Sequence, residues 1–588
     1  MAFSRRNFLI ATGVAAGSAT VLSACGSGNA GGGAGSTGKT KTVSDGKAAA
    51  FTVGTKADSV GPAPEVKGAV RGGTIFTLDR DDFSHLDPQQ IYYAYTQAGT
   101  ILIHRGLTGY KSDAKDNVVL VGDLATDAGT MKDGGKTWSF TLKDGLKWQD
   151  GSELTAEDVK WTIERSFAPF ITQGPRYVQD FLEGAEGYKG PYDGKRLDSV
   201  EVSGKTITFR LKEARPDFNF TLAMAGYGIV SKKNDTKQKY DKKPFACGPY
   251  MIESRVTDKS MTLVRNPHWD AKTDPIRNDY PDKYTFRFGF QALASTDRYI
   301  ADSGDDQYSM SILNVVATER VQKVLGTPAL KERVIEHLGA GAYYWAVNTK
   351  RVTDVEVRRA LIEAWPNQQS QTVRGGKTQS EIATTLMSPL SAGREDFDLY
   401  GKRKKPSGDP AAAKARLKKA GKLGQKIVFA FPQTETNVKN AVVVRKALAA
   451  AGFEPVAKAI DSTTFYDEIG KLDNEFDVMA AGWVPDWSTG YTVFQPTFES
   501  HAVVEGGVNW SQLKDKTVDK AIANADSITD PAEAGKAWAA VDRMLVDKAV
   551  AIPDYFPIRN YMHGSKVGNP VYDVGYDCAA LHKAYAKK

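Results

Sequence analysis

The order of elements between Asp409 and Ile460 constrains the fold of this chain more than any other feature. Asp409-Pro410 sets a capping carboxylate before a proline at the first helical position, and the Ala- and Lys-rich stretch that follows stops at Gly421. Residues 426–432, KIVFAFP, read as a strand. A second helical stretch from Lys439 stops at Gly452 and leads into a second strand, EPVAKAI, ending at Ile460. Helix–strand–helix–strand needs crossovers between neighbouring strands, so a partly parallel sheet covered by helices is expected. The chain has 588 residues, more than one hydrophobic core organises, so this sheet belongs to one of at least two lobes.

The sequence before it has a different texture. Residues 73–78 alternate like a strand, and Trp138, Phe140 and Leu142 share one face of another. Asp144-Gly145 then predicts a tight turn into a second strand at Leu146–Trp148, followed by Asp150-Gly151. Thr155 to Asp158 fits a capping box, opening a helix with Val159, Ile163 and Phe167 on one side. VEVSGKTITFRL, residues 200–211, is a hairpin turning at Ser203-Gly204. Asp530-Pro531 opens a long helix to about Asp547, and residues 552–564 read as strand and loop. No period marks a solenoid.

The first residues are an address. Arg5 and Arg6 precede an apolar run from Phe8 to Leu22 that is too short and too rich in small residues to span a membrane well. Ser4 to Leu9 resembles a twin-arginine export signal, and Leu22-Ser23-Ala24-Cys25 resembles a bacterial lipobox, which implies cleavage before Cys25 and lipidation of it. Residues 1–24 are therefore expected to be a signal peptide and 25–69 a lipidated cysteine followed by a Gly/Ser-rich tether. GAGSTGKT from Gly33 and GSGNAG from Gly26 match phosphate-binding patterns, but no apolar strand precedes either and no periodic helix follows.

Composition and motifs point away from several activities. Lys and Arg number 77 against 70 Asp and Glu, and the basic residues are scattered, so no nucleic-acid footprint is expected. Three cysteines cannot build a disulfide scaffold. Seven histidines show no metal-ligand spacing, and HExxH, CxxC and GxSxG are absent, so binding is favoured over catalysis and no metal or cofactor is expected.

Leu124 to Phe167, LATDAGTMKDGGKTWSFTLKDGLKWQDGSELTAEDVKWTIERSF, resembles the signature of the family 5 extracellular solute-binding proteins of bacterial ABC importers, the peptide- and nickel-binding group. Further landmarks keep the family's order: Leu86-Asp87-Pro88, Arg105 to Thr108, Cys247 to Tyr250 followed by LVRNPHW, Tyr343 to Ala364, and Asp409 to Gly421. The resemblance covers nearly everything from Gly72 onward. It implies a periplasmic-binding-protein-like α/β fold of the three-domain peptide-binding type, two lobes closing by a hinge with an extra domain. Domain I would be 70–111, 198–340 and 556–588, domain II 112–197 and domain III 341–555.

The same resemblance implies a lipid-anchored, exported monomer that captures oligopeptides and delivers them to ABC permease subunits. In Gly482 to Trp487, GWVPDW, it gives Asp486 the role of pairing with a ligand α-ammonium. Trp483 and Trp487 would line a side-chain pocket, and the Val484 backbone could pair with the peptide. The plain alternative is a surface acid in a loop packed by two tryptophans. Trp487-Ser488-Thr489-Gly490 departs from the family's usual continuation, which keeps other solutes open: a nickel complex, haem or an oligosaccharide, or, in another class, a secreted hydrolase. Tyr93, Tyr95 and Tyr344 are further candidates for the cleft, or else core residues. Cys247 and Cys578 both fall in the implied domain I, so they are either a disulfide or two thiols.

Overall fold

The computed structural model describes residues 51–113 and 117–588, so the expected export signal at 1–24, Cys25 and most of the expected tether at 25–69 lie outside the described residues. The helix Pro410–Lys419 is capped by the Asp409 carboxylate, which accepts from Ala412 N at 3.0 Å, and it buries Ala413 and Leu417. The second helix, Glu435–Ala450, starts one turn before the sequence signal because Thr434 caps it through Asn437 N at 3.2 Å. Strands Lys426–Pro432 and Glu454–Ile460 pair in parallel, from Lys426 opposite Glu454 to Pro432 opposite Ile460. Val478–Trp483 joins Lys426–Pro432 in parallel and Ala342–Val347 antiparallel, so the sheet is partly parallel as the element order requires.

Ala551–His563 is a single strand of 13 residues. Its first part pairs with Ala342–Val347 and Ser380–Ile382, and its second with Val334–Leu338 on one edge and Met310–Val315 on the other, Tyr561 standing opposite both Ile335 and Val315. The expected loop within it is absent. Pro553 and Pro557 lack ladder donors, and the sheet absorbs this by shifting register between Tyr343 and Tyr344 opposite Pro553 to Tyr555. The chain passes between the same two groups of strands a second time at residues 339–341, where Gly339 N donates to Pro557 O at 2.9 Å. Two adjacent crossings therefore link the C-terminal lobe to the rest of the protein.

Among the described residues there are three further sheets of three or four strands and two two-stranded ladders near the C-terminus. Thr74–Leu78 runs parallel to Lys283–Arg287 in a four-stranded sheet completed by Ser260–Arg265 and Tyr250–Val256. The hairpin Val200–Ser203 and Thr206–Arg210 forms as expected, and its second strand pairs with Thr137–Thr141. That pairing corrects the expected hairpin at Asp144-Gly145: residues 146–148 are not a strand, and only an isolated Lys147–Glu153 bridge closes over Asp150-Gly151. The distant partner wins because Phe140 packs edge-on against Phe209 at 5.9 Å and Trp138 lies 6.3 Å from Phe218. The same sheet lies on both sides of residue 197, and the Thr108–Ser112 and Val118–Gly122 pair spans residue 111, so neither boundary coincides with a break in pairing. The capping box is present, with Thr155 N donating to Asp158 Oδ2 at 2.9 Å ahead of helix Ala156–Arg165.

Cys247 and Cys578 are both buried free thiols, so the disulfide alternative is not realised. Each is fixed by its own backbone: Cys247 N donates to Ile103 O at 3.1 Å, and Cys578 sits opposite Asp573 in a two-stranded ladder.

Candidate functional site

Strand Val478–Trp483 ends at the meeting of the lobes, and the Asp486 loop continues from it. Gly482 is required there because a Cβ would lie 2.4 Å from Cδ1 of Tyr343. The Tyr343 ring thus lies flat over the strand, and on its other side it stacks on Tyr555 with centroids 4.6 Å apart and planes 4° from parallel. Arg374 caps Tyr555 at 4.0 Å from its centroid and pairs with Asp554 at 3.0 Å. Beyond the loop, the Trp483 indole N–H donates to Thr492 O at 2.6 Å, tying the loop to helix Tyr491–Phe498.

Asp486 is half-buried and accepts a hydrogen bond from the Tyr177 hydroxyl, which comes from the N-terminal body. Three more contacts cross beside it. The Trp487 indole N–H donates to Asp217 Oδ2 at 2.8 Å, and the Thr489 hydroxyl donates to the same oxygen at 2.7 Å. Arg215 pairs with Asp526 while its guanidinium lies 4.9 Å from the Phe181 ring centroid and 4.8 Å from that of Tyr491. Burial pushes the Asp526 carboxyl up to about 7 against the pull of Arg215. The two lobes are latched shut around this edge.

The sequence-derived candidates divide accordingly. Asp486, Trp483 and Val484 are half-buried at the junction. Trp487 is buried, 3% exposed, with its ring 4.8 Å from Tyr177 and its polar atom used by Asp217; it holds the lobes together rather than lining open space. Tyr344 is also buried, at 4% exposure, against Phe498, because strand alternation gives the open face to its neighbour Tyr343. Tyr93 and Tyr95 are half-buried, stack on one another at 6.0 Å, and Tyr95 lies over Phe83. Sequence reasoning missed Tyr177, Arg215, Asp217, Asp526 and Tyr555, which carry no local motif and reach the lobe junction only through the tertiary fold. Among the described residues, no group of three His, Cys, Asp or Glu is placed to hold a metal ion.

Two lobes joined by paired crossings, with an aromatic floor and an acid at their junction, define a binding protein that encloses a solute. The chain belongs to the bacterial extracellular solute-binding proteins, family 5, whose middle-region model matches residues 119–503. It is 25% identical over 472 residues to a probable D,D-dipeptide-binding periplasmic protein of Escherichia coli K12, covering 78% of this chain and 83% of that protein. It is 26% identical over 466 residues to the periplasmic murein peptide-binding protein MppA of the same strain, covering 75% and 81%. The solved structure of clavulanic acid biosynthesis oligopeptide binding protein 2 superposes with a TM-score of 0.82 at 26% identity, covering 91% of this chain and all of that one.

Proposed function

We propose that this protein is the exported, lipid-anchored receptor of an ABC importer and that it captures oligopeptides between its lobes. The observation that carries the reading is Asp486: a half-buried carboxylate at the lobe junction, held by Tyr177 and flanked by Trp483. An ammonium group enclosed there needs a counter-charge, since an unpaired buried cation costs several kcal/mol. Backbone pairing along Trp483 and Val484 would take peptides of varied sequence, each hydrogen bond contributing about 0.5–1.5 kcal/mol. The peptide-binding relatives support that ligand class, and the domain division at 70–111, 198–340 and 556–588, 112–197, and 341–555 is proposed with it. Lipidation at Cys25, a monomeric state and hand-over to permease subunits belong to the same proposal.

Native mass spectrometry of the protein as purified, followed by calorimetry with tri- to pentapeptides and their N-acetylated forms, tests the ligand. Peptides with a free ammonium are expected to bind, and either N-acetylation or Asp486→Ala is expected to weaken them by about tenfold or more. Equal affinity for free and acetylated peptides would remove the role given to Asp486. Turnover of the peptides in place of saturable binding would remove the receptor reading.

A further inference from the structure

Residues 401–460 hold fourteen Lys and Arg against three Asp and Glu, a formal charge of +11 where the whole chain carries +7. Bases that are scattered over the chain as a whole are therefore concentrated in one unit, the helix–strand–helix–strand at the edge of the C-terminal lobe. Two of its three acids are already engaged, Asp409 by Lys405 and Glu435 by Lys439. Lys414, Lys418, Lys419, Lys422, Lys426 and Lys446 are exposed, and among the described residues none of them forms an ion pair.

The fold gathers these cations at one end. Gly424 N donates to Gly452 O at 2.8 Å and Glu454 N to Gln425 O at 2.9 Å, which laces the turn after the first helix to the turn after the second. A Cβ on Gly452 would lie 2.9 Å from Leu423 Cδ2 and 3.5 Å from Lys414 Cγ, so the leucine and the lysine stem meet there. Leu423 is 46% exposed among the cations, and Val442, one turn before Lys446 on the second helix, is 58% exposed. Cations in the last turn complement a helix dipole, which accounts for Lys418 and Lys419 but not for Lys414 or Lys446.

This end faces away from the ligand. Phe429 stands beside Val478, and the strand from Val478 runs in parallel toward the Asp486 loop. Lys426 precedes Phe429 by three residues and Trp483 follows Val478 by five, which sets the basic end about 26 Å from the lobe junction along the strands. It takes no part in holding a solute and is open to something larger. The core of a stable protein interface is depleted of charge, and this surface is charged throughout. Lysines with single apolar side chains between them match a bilayer of anionic phospholipid, the cations meeting the headgroups and Leu423 and Val442 entering the interface.

We propose that this end of the C-terminal lobe docks on the anionic phospholipid surface of the membrane outside which the protein works. The inference rests on the exported, anchored reading above only for which membrane is met.

Flotation with protein-free vesicles tests it on the chain from residue 25, which keeps every described residue, with Cys25→Ser to remove any lipid anchor. Vesicles of phosphatidylcholine with about a third phosphatidylglycerol are expected to bind it at low salt, and pure phosphatidylcholine or about 0.5 M salt to weaken binding by about tenfold or more. Lys418→Glu, Lys419→Glu and Lys422→Glu together are expected to abolish the preference for anionic vesicles. Lys132→Glu, Lys323→Glu and Lys331→Glu, which change exposed lysines of the N-terminal body by the same net charge, are expected to leave binding within about twofold. Thermal melting reports whether the variants fold, and should the first triple variant not fold, the milder pair Lys414→Gln with Lys446→Gln decides by its own loss of anionic preference. Equal flotation with neutral and anionic vesicles, or equal loss in the two triple variants, overturns the inference. A protein that ignores anionic vesicles yet binds soluble polyphosphate also overturns it, since the partner would then be a polymer. The assay needs no peptide, so each of these results leaves the peptide reading to its own calorimetry.

Discussion

Replacing Asp217 with alanine measures how much of ligand affinity comes from the latch between the lobes. One carboxylate oxygen, Oδ2, receives both the Trp487 indole N–H at 2.8 Å and the Thr489 hydroxyl at 2.7 Å. Hydrogen bonds to a charged acceptor contribute about 1.5–3 kcal/mol each, about 4 kcal/mol for the two. The second oxygen, Oδ1, is buried without a partner, which offsets about 1–3 kcal/mol. About 2 kcal/mol in favour of closure remains, a factor of roughly thirty. Because a ligand's apparent affinity scales with the population of the closed, binding-competent state, Asp217→Ala is expected to weaken peptide binding by about thirtyfold when closure limits affinity. Calorimetry gives the affinity, and small-angle scattering with and without ligand gives the radius of gyration of each state. Asp217→Asn, which keeps an acceptor oxygen and loses the charge, is expected to fall between wild type and alanine. An Asp217→Ala protein that binds within about twofold of wild type, with an unchanged closed-state radius, would refute the latch.

Three further outcomes follow from the interior. His104 is buried and its pKa is held down to about 4 by burial, so the folded state refuses a proton that the unfolded chain takes near 6.5. Its share of stability is complete above pH 6.5 and is lost as pH falls toward 4, by about 3 kcal/mol in all; the slope of melting free energy against pH in that window is expected to be shallower in His104→Gln, and an identical slope would contradict the assignment. Gly482→Ala forces a methyl to 2.4 Å from Tyr343, so a loss of about 1–3 kcal/mol in melting stability and weaker ligand binding are expected. Because Cys247 and Cys578 are free, reductant is expected to leave the melting temperature unchanged, and denatured protein is expected to show both thiols to an alkylating reagent.

The parts of the fold that were legible in the sequence are those fixed by neighbours in the chain. Asp409-Pro410, Thr155 to Asp158 and Ser203-Gly204 each act within a few residues, and the structure forms the cap, the capping box and the turn where they stand. Asp144-Gly145 gives an equally local turn signal, but the strand before it pairs with Thr206–Arg210, because the apolar face of Trp138 and Phe140 is covered there and not by residues 146–148. Residues 552–564 read as strand and loop, while the sheet takes all of them as one strand and tolerates Pro553 at a shift in register. In the site, Asp486 and Trp483 stand out by their own chemistry. Tyr177, Asp217 and Asp526 lie more than a hundred residues away or on other elements, and nothing near them in sequence marks them. Tyr344 against Tyr343 was a choice between faces of a strand that alternation alone leaves open until a partner strand is known.

The long strand near the end of the chain also sets the order of assembly. Ala551–His563 completes pairings in both lobes, with Ala342–Val347 on one side and Val334–Leu338 on the other. During synthesis, hundreds of residues leave the ribosome before this segment does, and until then each lobe is a sheet with an unfilled slot lined by open backbone donors and acceptors. A single late insertion closes both slots, so the two lobes reach their native state together, and truncation just before residue 551 would leave both incomplete rather than sparing one.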